Sequence, residues 1–397
     1  MRILLISSGS GSRGGGEIFL DYLANGLSAR GHETLMWMPS HPRMDELSEK
    51  CARWAQVTRS EYQNTYDHAG RSLSTCFNRS VSRRLAAEWG ALGPDVIHLN
   101  KQNLEDGLDL LRAVDLCGAP AICTIHLTQT ARYLRARTAW LRDVIAREAL
   151  KKFRGPLAAV QEARRSELHE FLGGRARTET VHNGVPIRDQ AELAALRTAK
   201  RKELGLSESD FLVLGLGRLT AQKRPMVFLN AAKALHERLP ALRFLWVGGG
   251  DMAGQWDDWV ASERLGETIS CAGWQTDTAP YLAAADLLLH VAEYEGLPLA
   301  IIEAMAAGLP CAVTRNFASE ISLFDNTNVM FLDDVNELTG KLQDRFLLES
   351  VAAAARRLAR ERFSIDAMAE AYERLYLDAL GRGMAEARQN RLNNGRR

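Results

Sequence analysis

Short apolar runs alternate with longer stretches of helical periodicity along this chain, and that alternation confines it to parallel sheets joined by crossover helices. The strand candidates are 3–7, 33–38, 96–99, 121–125, 157–160 and 179–181, followed by 211–216, 243–247, 268–271, 287–291, 311–313 and 329–332. A strand, a glycine turn and a helix open the series at residue 3 and open it again at residue 211. Two doubly wound α/β units are therefore expected, which suits a length of 397 residues. The polar stretch 188–209, with helical periodicity over 192–201, reads as their connector. This gives a first unit over 1–188, a second over 189–364 and a closing segment over 365–397. That segment reads as a helix over 365–380, expected to return to the first unit, and a frayed basic tail over 388–397. Residues 41–79 break the pattern, and helix or loop is expected there.

Whole-chain charge is +1, which gives no warrant for a nucleic-acid binder. The halves differ, however: residues 1–188 carry +6 and the remainder −5. Much of the first surplus lies in 131–154, where eight basic residues (Arg132, Arg135, Arg137, Arg142, Arg147, Lys151, Lys152, Arg154) face two acidic ones. That stretch reads either as a solvated helix face or as a contact for anionic lipid or a charged glycan. No apolar run reaches the length of a membrane span. The six cysteines form no C-x-x-C pair, so reduced thiols in a cytoplasmic protein are expected rather than disulfides or a zinc site.

Three segments carry chemistry. The first, Gly9-Ser10-Gly11-Ser12-Arg13-Gly14-Gly15-Gly16-Glu17, follows strand 3–7 and leads into a helix expected from Ile18. Glycines there let a ligand approach the backbone, and the helix N-terminus favours an anion. Gly9, Gly11 and Gly14 fit a dinucleotide fingerprint formally, but strand 33–38 ends without the acidic residue that would hold a ribose, and the helix is expected to start beyond Gly16. The second segment, Gly217-Arg218-Leu219-Thr220-Ala221-Gln222-Lys223-Arg224, follows strand 211–216 and offers Arg218 and Lys223 to a diphosphate or to solvent. The third runs from Glu295 to Pro310 as a loop and an apolar helix opened near Pro298 and stopped at Gly308. Its one internal charge, Glu303, is expected to be buried and so to need a donor, either ribose hydroxyls or a buried cation. No Asp-x-Asp occurs, so phosphate binding does not require a carboxylate-held metal.

In this order and spacing the segments resemble glycosyltransferase family 4, the retaining nucleotide-sugar glycosyltransferases of the GT-B fold. The resemblance rests on Gly14-Gly15-Gly16-Glu17, His126 after strand 121–125, Asn183-Gly184-Val185, and Gly217-Arg218 with Lys223. It continues through Gly248-Gly249-Gly250, Gly273-Trp274, Asp286, and Glu295 and Glu303 with seven residues between, the latter within Glu-Ala-Met-Ala-x-Gly-x-Pro. Departures are Pro298 in place of a second glycine, Phe317-Ala318 in an often glycine-rich turn, Asn100 for a frequent histidine, and Arg224 for a frequent glycine.

The resemblance implies two Rossmann-like domains facing across a cleft, with the acceptor side in the first and the donor side in the second. By it, Glu303 binds the ribose and Glu295 the donor sugar hydroxyls, beside Gly296, Leu297 and Leu299. Arg218 and Lys223, next to Gly217, hold the diphosphate, while Gly15, Gly16 and Glu17 serve the phosphate or acceptor side. His126 faces the reacting sugar, so that His126, Glu295, Arg218 and Lys223 are the candidate catalytic residues. The implied activity is transfer of a hexose-like sugar, with retention, from a UDP- or GDP-sugar to a glycan, glycolipid or small hydroxyl acceptor. The implied setting is bacterial polysaccharide or lipopolysaccharide assembly in the cytoplasm, without a metal, a cofactor or nucleic acid; peripheral contact with the inner face of the membrane is the expectation attached to the basic stretch Arg132 to Arg154, should it not be a solvated face. A sugar-nucleotide epimerase of the same fold and a non-catalytic nucleotide-sugar binder are the alternatives.

Overall fold

Seven strands form the first sheet: β1 (Arg2–Ser7), β2 (Glu33–Pro39), β3 (Gln56–Ser60), β4 (Val96–Asn103), β5 (Ala121–Leu127), β6 (Leu157–Ala159) and β7 (Thr178–Thr180). All pair in parallel in the order β3-β2-β1-β4-β5-β6-β7. The computed structural model describes residues 1–9, 11, 14–68, 70–174, 176–207 and 209–394, with side chains as far as Arg382. The chain divides into two compact units, Met1–Gly184 with Ile365–Arg397 and Val185–Ser364.

β1 is apolar from Ile3 to Ile6 because both its faces are covered there. Leu4 and Ile6 join a cluster with Trp37 and Trp89, whereas Ile3 and Leu5 join Phe19, Tyr372 and Tyr376 on the other face. The helix Ile365–Asn394 supplies both tyrosines and is fixed by a buried relay. Tyr376 Oη lies 2.7 Å from His98 Nδ1, His98 Nε2 lies 2.9 Å from Thr124 Oγ1, and Thr124 Oγ1 lies 2.8 Å from Tyr372 Oη. Burial lowers the His98 pKa to about 3, which keeps the ring neutral within this relay.

The second unit repeats the plan with β8 (Phe211–Leu216), β9 (Leu242–Val247), β10 (Ile269–Cys271), β11 (Leu287–His290), β12 (Cys311–Thr314) and β13 (Met330–Leu332). Their order is β10-β9-β8-β11-β12-β13, again parallel. Asp286 clamps the connector helix Gln190–Glu203 to this sheet, accepting from Arg197 at 2.6 Å, Arg201 at 3.1 Å and the Leu212 N–H at 2.8 Å. In each sheet the strand order reverses once, between β1 and β4 and between β8 and β11. Open α/β sheets bind ligands beyond the strand ends at such a point.

Four sequence expectations change. Residues 41–79 contain the strand β3, whose polar Gln56–Ser60 sequence suits an edge with one neighbour. β4 runs on to Asn103, so Asn100 lies within the strand rather than after it. The first helix begins at Gly15, not Ile18, because the Gly14 carbonyl already accepts from Glu17 and Ile18 N–H. The last helix continues past Leu380 to Asn394, while the side chains of the expected basic tail lie outside the described residues. All six cysteines are free thiols. Among the described residues no helix is long and apolar enough to cross a membrane.

Candidate functional site

Level with the end of β1, Asn100 within β4 joins the candidates of the first unit through its amide. Asn100 Nδ2 donates to the Gly16 carbonyl at 2.8 Å, and its Oδ1 lies 2.8 Å from His126 Nε2. With the amide oriented by Gly16, Nε2 of His126 carries the proton and donates. The ring also packs edge-on against Phe19, with centroids 4.9 Å apart. Burial lowers the His126 pKa to about 3, so this is a neutral imidazole. A Cβ on Gly16 would lie 2.1 Å from Gln102 Oε1, so a side chain there would displace the Gln102 amide. Gly15 opens the helix, and Glu17 is buried in its first turn. In the sequence Asn100 stands only as a departure from the family pattern; in the structure it is the link between the glycine loop and His126.

At the end of β8 and β11 the second unit assembles charges. The loop after β8 is drawn to the loop after β11 by Glu293 N–H donating to the Gln222 carbonyl at 2.8 Å and Gln222 Nε2 donating to the Tyr294 carbonyl at 3.0 Å. These bonds bring Lys223 Nζ onto Glu295 Oε1 as an ion pair, with both side chains largely buried. His290, the last residue of β11, places Nε2 3.4 Å from the same oxygen, long for a hydrogen bond but close enough for electrostatic coupling. Burial pushes the Glu295 carboxyl up, but Lys223 and then His290 outweigh it and hold the group down at about 2. Burial likewise lowers the His290 pKa, with Glu295 opposing the shift and Lys223 adding to it. Arg218 is exposed, and its guanidinium makes no hydrogen bond or ion pair among the described residues.

Backbone packing fixes where Arg218 sits. The Gly217 carbonyl accepts from Trp246 Nε1 at 2.9 Å, and a Cβ on Gly248 would lie 2.0 Å from that same carbonyl oxygen. Arg224 occupies the left-handed region at φ 52°, the conformation for which glycine is the usual residue. Gly296, Leu297 and Leu299 are buried around the start of the helix Leu299–Ala307, which Pro298 precedes and Gly308, at φ 76°, ends.

The expected burial of Glu303 is corrected. It is half-buried, with Thr278 Oγ1 at 3.5 Å from Oε2, because its helix packs its other faces into the core and leaves this one partly open. Of the two glutamates of this segment the buried one is Glu295, and its cation is Lys223. His290 escaped the sequence reading, although a titratable side chain closing an apolar strand is a visible signal.

Residues 13–189 match the family described as Glycosyltransferase Family 4, and residues 210–346 match Glycosyl transferases group 1. The chain belongs to glycosyltransferase family 4. It is 32% identical over 161 residues to the UDP-Gal:alpha-D-GlcNAc-diphosphoundecaprenol alpha-1,3-galactosyltransferase of Escherichia coli, covering 40% of this chain and 41% of that one. It is 26% identical over 231 residues to the N-acetyl-alpha-D-glucosaminyl L-malate synthase of Bacillus anthracis, covering 56% of this chain and 60% of that one. The chain thus spans less than two thirds of either curated relative. Its fold is that of the GT-B enzymes. Anabaena Alr3699/HepE, solved with UDP and glucose, matches with a TM-score of 0.75 at 18% identity, over 94% of this chain and 98% of that one. The sucrose-phosphate synthase of Thermosynechococcus elongatus matches with a TM-score of 0.76 at 17% identity, over 96% and 100%. In this family setting, the reversal point of the second sheet joins the loop carrying Arg218 and Lys223 to the one carrying Glu295.

Proposed function

We propose that this family 4 chain transfers a hexose-like sugar from a nucleoside diphosphate sugar to a hydroxyl acceptor, with retention at the anomeric carbon. The observation that carries this reading is the cation pair at the end of β8: an exposed Arg218, unpaired among the described residues, and a Lys223 held on Glu295. Charge develops on the diphosphate as the glycosidic bond breaks, and preorganised cations stabilise it there without reorganising at the moment of reaction. Arg218 offers a fork to the phosphate oxygens, and Lys223 a point charge. In this reading the two side chains take the place of a divalent metal. Glu295, kept ionised, accepts from donor sugar hydroxyls, and the half-buried Glu303 accepts from the ribose.

His126 is neutral and donates to Asn100, so its contribution is to shape the site for the reacting sugar rather than to supply charge. The departing phosphate oxygen is assigned the acceptor proton, since no protein nucleophile stands out among the described residues. The acceptor is a glycan, a glycolipid or a small hydroxyl compound, and UDP or GDP is the nucleotide. The Escherichia coli relative is named a transferase, which supports transfer over epimerisation.

A thermal-shift panel of UDP- and GDP-sugars tests this directly. A donor at about 100 times its Kd raises stability by roughly 2.7 kcal/mol. Product analysis by mass and NMR then separates transfer from epimerisation. Absence of a shift with every nucleoside diphosphate sugar overturns the reading.

A further inference from the structure

The loop that carries Glu295 leaves β11 after His290 and is held from two sides. On the β8 side, Gln222 takes its Glu293 N–H and its Tyr294 carbonyl. On the β12 side the grip is Asn316, whose Nδ2 donates to the Glu293 carbonyl at 2.8 Å and to the Ala292 carbonyl at 3.3 Å. Thr314 Oγ1, at the end of β12, adds a contact of 3.5 Å to the Ala292 carbonyl, at the limit of a hydrogen bond. The carbonyls of Ala292, Glu293 and Tyr294 are therefore all taken by side chains from neighbouring elements. The course of this loop is set from outside it.

Asn316 belongs to the short helix Arg315–Ala318, which contains the Phe317-Ala318 departure from a glycine-rich turn. That departure has a structural use. Phe317 and Ala318 are buried and seat the helix. Arg315 ties its start to residues around the end of β13, with Nε donating to Asp333 Oδ1 at 2.7 Å and the guanidinium 5.0 Å from the centroid of the Phe331 ring. Phe317 also meets His290 edge-on, with centroids 5.5 Å apart, and His290 is the imidazole beside Glu295. One anchored turn thus reaches Glu295 twice, along the backbone through Asn316 and across the side chains through Phe317. Asn316 itself is exposed, so water can meet the carbonyls that loss of its amide would release, and the fold gives up little. The position of Glu295, two residues beyond Glu293, is more sensitive, because hydrogen bonds weaken steeply with distance and angle.

We propose that Asn316 is a positioning residue that sets selectivity for the donor sugar: it fixes where Glu295 meets the sugar hydroxyls and leaves the nucleoside diphosphate to other groups. The proposal rests on the reading of Glu295 as the carboxylate that accepts from the donor sugar. Selectivity is a difference between two affinities, and a fixed acceptor creates one because a hydroxyl of the wrong configuration leaves it unpaired. A carboxylate on a loosened loop follows either configuration and discriminates less.

The test is isothermal titration calorimetry of the full chain with UDP, GDP and two epimeric pairs, UDP-glucose with UDP-galactose and GDP-glucose with GDP-mannose. Asn316→Ala is expected to keep the wild-type affinity for the bare nucleoside diphosphate, which also shows that the variant is folded. Binding of the preferred nucleoside diphosphate sugar weakens about 10-fold, and its preference over the epimer narrows by a similar factor. Asn316→Gln retains the amide and recovers most of both losses. Unchanged affinity and preference for the sugars in Asn316→Ala overturn the proposal. So does equal weakening of a nucleoside diphosphate and its sugar, which would make Asn316 a general support of the unit, and so does wild-type binding without preference between epimers. A wild-type chain that binds none of these ligands overturns the donor reading as well, so the wild-type titration tells the two failures apart.

Discussion

The two units carry their candidate sites at equivalent reversal points of two sheets, yet they use opposite chemistry. In the first unit the link from Gly16 through Asn100 to His126 is neutral: a carbonyl, an amide and an uncharged imidazole. Beyond β8 and β11 it is ionic, with Lys223 on Glu295 and His290 nearby. A neutral hydrogen-bonded chain sets positions but stabilises little developing charge. A buried ion pair holds charge in place at the cost of dehydrating two ions. The comparison therefore assigns shape to the first unit and electrostatic stabilisation to the second.

The sharpest way to break that division is Lys223→Ala. Removing one partner of a buried pair leaves the other uncompensated and costs about 3–5 kcal/mol. Chemical denaturation is expected to show that loss, together with at least a hundredfold fall in donor turnover. The pH dependence has a fixed sign. Glu295 is held at about 2 in the folded chain, below its ordinary 4.5, so its contribution is complete above about pH 4.5 and is lost as pH falls toward 2. In the variant, burial is unopposed by the lysine, so the carboxyl titrates higher and the acid limb moves toward neutrality. Unchanged stability and turnover would place the charge elsewhere.

Asn100→Asp attacks the other side by making the neutral link ionic. The Gly16 carbonyl then faces an acceptor instead of a donor, and a loss of about 2 kcal/mol is expected in the unfolding midpoint. The new carboxylate also draws the His126 proton affinity upward, which NMR titration of the ring would follow. In the wild type, burial holds His126 and His98 near 3, below the ordinary 6.5. Their contribution is therefore present above pH 6.5 and falls away as pH drops toward 3, because the unfolded chain takes up protons that the folded chain excludes. An enzyme whose turnover follows a His126 limb between pH 6 and 8 would contradict the neutral reading.

The contrast also explains what could be read before the fold was known. Runs such as Phe211–Leu216 and Leu287–His290 announce buried parallel strands because both faces demand apolar side chains. Gln56–Ser60 escapes the same rule, since an edge strand can be polar. Glu295 and Lys223 lie 72 residues apart, and a one-dimensional pattern marks both without showing that they pair. The apolar helix around Glu303 argued for burial of that glutamate, but helical neighbours do not reveal which face is left partly open. Asn100 looked like a missing histidine because its two partners, Gly16 and His126, come from different elements.

His290→Leu probes the ionic site more gently. Its ring lies at the margin of hydrogen-bond distance from Glu295, so roughly 1 kcal/mol, or about a fivefold rise in donor KM, is expected, with kcat changed less. His290→Gln retains a donor and should recover most of the loss. Equal behaviour of the leucine and glutamine variants would make the histidine a packing residue against Phe317, whose ring centroid lies 5.5 Å away.

The smallest effect separates charge from backbone in the loop that carries Lys223. Arg224 holds φ 52° as the residue capping the helix Pro225–Arg238, a conformation that costs a side-chain-bearing residue about 1–2 kcal/mol. Arg224→Gly relieves that cost while adding freedom to the unfolded chain, so a net stabilisation of about 0.5–1 kcal/mol is expected from thermal unfolding. Donor affinity in the same variant decides the role of the guanidinium. If affinity is unchanged, the diphosphate is met by Arg218 and Lys223 alone, and Arg224 is tolerated strain. If affinity falls while stability rises, the second unit commits a third cation to the donor at the expense of its own backbone. The ionic character of this unit would then reach beyond the Lys223–Glu295 pair.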